Sequence, residues 1–261
     1  MNELLCDEHL REFRRGLGRC YCRKEVRVEA VWDALAHSGD VLKASKKARV
    51  MRVGNWVVKE QRDALGWLKY TLKRSRYRRA WVAAHHLRHH NVLVPEPVAF
   101  IEYSVAGVIL RNTMVSAYLD GCRNVEHFLQ ALAKRGAGRD TIELFLRRLA
   151  DAVNHLCASG AYHADLSGKN IFTLDGTRFY FIDLEAVEIG GEYTDALRLK
   201  NHIQLYDSFC DQLNDTLLAP FLQHMLPAGA DARLWLPRVR DGQRERRARI
   251  DRIHARRAQT A

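Results

Sequence analysis

The most constraining feature of this chain is a pair of polar segments set between apolar ones. The first runs Tyr162-His163-Ala164-Asp165-Leu166-Ser167-Gly168-Lys169-Asn170, and the second Phe179-Tyr180-Phe181-Ile182-Asp183-Leu184-Glu185. Asp165 and Asn170 stand five apart in a loop that follows a long helix-period stretch, Thr141–Ser159. Asp183 comes thirteen residues after Asn170, at the end of an apolar strand. Loops carried at the ends of rigid elements are where a fold can aim polar side chains into a cleft. Taken singly, a turn aspartate, a capping asparagine and a solvated strand end would need no function; the joint spacing does.

Phosphoryl transfer needs such a set. A carboxylate must orient the attacking hydroxyl, and oxygen ligands must hold Mg²⁺ against nucleotide phosphates. Asp165 suits the first role, and Asn170 and Asp183 the second. His163 reads as a loop support rather than a base.

The rest of the chain divides by pattern. Residues 1–38 mix charged and apolar positions at roughly helical spacing and read as a helical extension. Val41-Leu42, Val50–Val53 and Trp56–Lys59 read as short strands, with Gly54-Asn55 as a tight turn. A helix over Arg76–His90 follows, then extended Val94-Pro95-Glu96-Pro97. Val98–Glu102 and Val108–Tyr118 are rich in Val, Ile and Tyr, as strands are. Helical periodicity then marks Val125–Lys134, Thr141–Ser159 and Thr194–His224. The expected class is α+β: a small sheet lobe over 39–115, a helical lobe over 116–237, and a basic tail over 238–261.

The H-x-D-x-x-x-x-N pattern of His163, Asp165 and Asn170 with a later aspartate resembles the eukaryotic-type kinase set, whose last motif reads D-F-G. Here Asp183-Leu184-Glu185 stands instead. Together with Trp56-Val57-Val58-Lys59, the basic run ending at Trp81, and Val94-Pro95-Glu96-Pro97, it resembles the bacterial lipopolysaccharide core-sugar kinases that act on Kdo or heptose. The resemblance covers about residues 40–200. It implies a protein-kinase-like two-lobed fold, with an antiparallel-sheet N-lobe and a mainly helical C-lobe. ATP and Mg²⁺ are the implied cofactors. Lys59 would bind the ATP phosphates and pair with a glutamate of the next helix. Strand alternation turns Lys59 opposite to Val58 and toward the cleft. Two departures stand out. Ala80, not glutamate, precedes Trp81, so the partner of Lys59 is not identified. The phosphate-covering loop lacks glycines and offers Ser45 with basic side chains. Tyr118 falls in the adenine hinge, and Lys169 could steady the charge of the transferring phosphoryl group.

Lysine and arginine exceed the acids by eleven, which favours anionic partners. The base is concentrated in Lys69–Arg79 and in the tail, where Arg238 to Arg257 holds nine arginines against three acids. An anionic glycolipid acceptor and electrostatic association with an anionic membrane surface are expected. Nucleic acid is not, because no base-stacking or groove-reading motif accompanies the charge. No stretch approaches the roughly 20 apolar residues of a membrane span, and the N-terminus lacks a signal-peptide core, so a cytoplasmic location is expected. The six cysteines read as reduced thiols, and His85, His86, His89 and His90 lack an evident further metal ligand. Two alternatives remain: a kinase of another small molecule or protein, and a weakly active or non-catalytic kinase-like binding module.

Overall fold

The computed structural model describes residues 8–37, 39–45, 48–61 and 75–259. The chain divides into two units, Met1–Gly121 together with Asp183–Val187, and Cys122–Ile182 together with Glu188–Ala261. Parts of the basic run Lys69–Arg79 and of the loop after Ser45 lie outside the described residues.

The first unit is built on strands β1 (Leu10–Arg15), β2 (Gly18–Arg23), β3 (Asp40–Ala44), β4 (Ala48–Val53), β5 (Trp56–Gln61), β6 (Pro97–Val105) and β7 (Val108–Ala117). They form one antiparallel sheet in the order β1-β2-β6-β7-β5-β4-β3. Among the described residues, two helices belong to this unit, α1 (Val28–Ala36) and α2 (Arg76–His89). Strand alternation gives the sheet two apolar faces. Cys20, Cys22, Met51, Val58, Ile101 and Val115 pack with Val31 of α1 on one. On the other, Phe100 lies 6.4 Å from Trp81 of α2 and stacks on Tyr21 at 6.3 Å. Burying both faces leaves Lys59 as a charged exception on β5.

The N-terminal segment corrects the expectation of a helical extension. Residues 10–23 are a β-hairpin on the sheet edge, and only Val28–Ala36 is helical. Cys20, Tyr21 and Cys22 are all buried, because β2 is covered on both sides, so the period-2 signature of a strand is absent there. Gly16, with φ +55°, makes the left-handed turn that joins the two strands.

The second unit is mainly helical: α3 (Val125–Lys134), α4 (Arg139–Ala158), α5 (Asp195–Phe209), α6 (Asp215–His224) and α7 (Ala232–Gln259). Its short strands are β8 (Arg123–Asn124), β9 (Ala161–His163), β10 (Ile171–Thr173) and β11 (Phe179–Phe181), of which β11, β10 and β8 form a three-stranded sheet. The single helical stretch expected over Thr194–His224 breaks after Phe209, and Asn214 caps α6 by accepting from the Thr216 N–H. The arginine-rich stretch Arg238–Arg257 makes up most of α7, which packs along α5.

One contact in that packing carries a pH signature. Trp235 of α7 donates its indole N–H to His202 Nδ1 of α5 at 2.7 Å, and both side chains are buried. Burial, reinforced by Arg198, lowers the His202 pKa from 6.5 to about 3. The unfolded chain therefore binds one more proton than the folded one between those values. Stability is expected to fall as pH drops below 6.5, by up to about 1.4 kcal/mol per pH unit from this residue. His202→Gln keeps an acceptor for Trp235 but cannot titrate. Urea unfolding from pH 7 to 4.5 should show a shallower loss for this variant than for the wild type.

Candidate active site

In the second unit, the loop after β9 is locked by its own side chains and by α5. His163 is fully buried, and its Nδ1 accepts the Asp165 backbone N–H at 3.2 Å. The proton therefore sits on Nε2, which donates to the Ile182 carbonyl at 2.9 Å. This matches the supporting role read from the sequence. Asn170 donates its amide N–H to the Asp165 carbonyl at 2.8 Å and to the Asp165 carboxylate at 3.0 Å. Asp165 is half-buried, and Lys169 is exposed beside it.

Three α5 residues missed by the sequence reading set the loop in place. Asn201 donates to the His163 carbonyl at 2.8 Å. Gln204 accepts from the Leu166 N–H at 2.9 Å and donates to the Ala164 carbonyl at 2.8 Å. Ser208 accepts from the Gly168 N–H at 2.8 Å. Their spacing of three and four residues puts them on one helix face. A side chain at Gly168 would press on Glu126, since its Cβ would lie 2.7 Å from Glu126 Cγ. The available signal was weak: a buried asparagine on an apolar helix face. Asn201→Leu leaves the buried His163 carbonyl without this donor and should cost about 1–3 kcal/mol in chemical denaturation. The same change should lower turnover, because the loop is set through His163.

In the first unit, Lys59 on β5 is flanked by two carboxylates of the Asp183-Leu184-Glu185 segment. Its Nζ lies 3.1 and 3.2 Å from the two Glu185 oxygens and 3.3 Å from Asp183 Oδ1. Burial works against the Lys59 charge, but Glu185 and then Asp183 outweigh it and leave the pKa above its usual value. Burial pushes the Glu185 carboxyl up, with Lys59 pulling it back. The partner absent at Ala80 is therefore supplied by Glu185. Ala80 is fully buried in α2, which packs against the 3₁₀ turn Leu184–Ala186. Asp183 adopts a left-handed conformation, φ 58° and ψ 45°. For a non-glycine residue this is uncommon and concentrates at functional sites.

Ser45 and Tyr118 also lie in the first unit. The Ser45 hydroxyl exchanges hydrogen bonds with the Ala48 backbone, closing the β3–β4 connection. Tyr118 gives its backbone N–H to the Asn55 carbonyl at 2.8 Å, and the Arg52 guanidinium lies 3.9 Å from its ring centre. A hinge contact from Tyr118 would thus have to use its carbonyl.

A family-level comparison matches residues 35–218 to the lipopolysaccharide kinase (Kdo/WaaP) family. The chain belongs to that family. It is a phosphotransferase, a kinase of the lipopolysaccharide class. Among solved structures it is similar to one titled "WaaP in complex with acyl carrier protein", at 19% identity and a TM-score of 0.64, over 83% of this chain and 92% of the other. At that identity the likeness shows a shared kinase-like fold. No curated protein matches the chain. Among the described residues, no helix is long and apolar enough to cross a membrane.

Proposed function

We propose that the protein transfers the γ-phosphoryl group of ATP to a sugar hydroxyl, on heptose or Kdo, of the lipopolysaccharide inner core. The observation that carries this reading is the Asn170 amide bound to both the carbonyl and the carboxylate of Asp165. That bond spends the nitrogen of Asn170 and leaves its oxygen available. An amide oxygen and the Asp183 carboxylate are the hard oxygen donors that Mg²⁺ prefers. Mg²⁺ is assigned to these two residues, and it would neutralise phosphate charge as the transfer proceeds.

In this scheme Asp165 accepts the proton of the attacking hydroxyl. The hydroxyl oxygen forms its bond to the γ-phosphorus while the bond to the β,γ-bridging oxygen breaks. The products are the sugar phosphate and ADP, and the proton passes from Asp165 to solvent. Lys59, held charged by Glu185, takes ATP phosphate oxygens, and Lys169 steadies the moving phosphoryl charge. Ser45 and the Tyr118 carbonyl are assigned to the nucleotide. The acceptor is an anionic glycolipid met at the cytoplasmic face of the membrane, where the basic α7 would add electrostatic attraction.

The pairing of Lys59 with Glu185 answers one of the two features that favour a non-catalytic module, the missing helix glutamate; the glycine-poor phosphate loop is the other. ATP consumption in the presence of core acceptor, with Mg²⁺ and after its chelation, tests the reading. Turnover lost on chelation and restored by Mg²⁺ is expected; equal turnover without the ion contradicts it.

A further inference from the structure

A cavity of about 590 Å³ opens beside Asp165 and Lys169, wholly within the second unit, with α5 and α7 forming much of its wall. Its existence depends on how α7 is laid against α5. Gly242 of α7 sits where a Cβ would come within 2.2 Å of Ile203 of α5. A mid-helix glycine costs about 1 kcal/mol relative to alanine, so this one is explained by close approach rather than propensity. The contact delivers the next turn of α7 to Asp207, which is largely buried. Gln243 donates to Asp207 Oδ1 at 3.0 Å, Arg247 Nε to the same oxygen at 2.6 Å, and Arg246 Nη1 to Oδ2 at 2.7 Å.

The two arginines are left in different states. Arg247 is spent, because its remaining nitrogens also grip Asp211, at 3.0 and 2.8 Å. Arg246 is held at one end only; its Nε and Nη2 make no hydrogen bond among the described residues, and it lines the cavity. A guanidinium fixed at one nitrogen and open at the others is a receptor for a carboxylate or phosphate. Across the cavity, Glu126, Gln130 and Gln212 make no side-chain hydrogen bond among the described residues, so they offer donors and acceptors to hydroxyls.

We propose that this cavity is the acceptor subsite, that it takes a polyhydroxylated sugar bearing an anionic substituent, and that Arg246 binds that substituent. Resting on the phosphoryl-transfer reading above, this assigns the arginine-rich helix a role in choosing the acceptor. Arg246→Gln leaves Gln243 and Arg247 on Asp207, so α7 keeps its anchor.

The test measures kcat and KM for full-length wild type and Arg246→Gln on three acceptors: core oligosaccharide, its dephosphorylated form, and its carboxyl-reduced form. The variant is expected to raise acceptor KM roughly 10- to 100-fold on the unmodified oligosaccharide, the range of one charge-assisted contact. That penalty should vanish on whichever treated form has lost the anion Arg246 reads, which identifies it as phosphate or carboxylate. An equal penalty on all three acceptors would mean that Arg246 only fixes α7, and would overturn the subsite while leaving the kinase reading intact. So would no penalty on any of them. Wild-type protein that consumes ATP but phosphorylates none of the three overturns the core-sugar reading itself.

Discussion

Replacing Asp165 with alanine is expected to lower kcat for phosphoryl transfer by about 10²- to 10⁴-fold, the usual contribution of a positioned general base. The melting temperature should change little. The loop does not depend on the Asp165 carboxylate: its backbone is fixed by His163, Gln204 and Ser208. Asn170 keeps its bond to the Asp165 carbonyl after the carboxylate is gone. Turnover, nucleotide affinity by calorimetry and thermal unfolding on the same preparation separate chemistry from folding. Activity within a few-fold of wild type would remove Asp165 from the proposed role.

The second large effect is expected at Glu185. With Glu185→Gln, Lys59 loses its bidentate carboxylate and retains Asp183 alone, a residue also proposed to hold Mg²⁺. We expect kcat/KM for ATP to fall on the order of 10²-fold, as when a charged pair that orients the nucleotide is broken. Lys59→Met should cost a similar factor. Because the two residues act as one unit, the double variant should be little worse than either single one. Strictly multiplicative losses would show that Lys59 and Glu185 contribute independently, contrary to the geometry.

These two residues also show what could be read from sequence. Asp165, Asn170 and Asp183 stand out in the sequence because they lie in short loops with local spacing, flanked by an obvious helix and strand. Strands β3 to β7 were legible for a similar reason, since their Val-containing runs are bounded by turns and prolines. Glu185 was present in the motif, but its pairing with Lys59 joins positions 126 apart in sequence. No local pattern reports such a contact, and the local position where a helix glutamate would be sought holds Ala80. The β1–β2 hairpin was missed because burial on both faces erases the alternation that identifies a strand. Asn201, Gln204 and Ser208 were hidden among the apolar periodicity of α5. Their role depends on which backbone groups the loop presents to the helix, and that is decided only by tertiary packing.

The central claim is best tested by mass spectrometry of lipopolysaccharide core oligosaccharide after incubation with the protein and Mg-ATP. The expected result is a gain of one phosphate, mapped by fragmentation to a heptose or Kdo residue and absent with Asp165→Ala. ATP consumption with an unchanged core mass, or phosphate appearing on the protein instead, would contradict it.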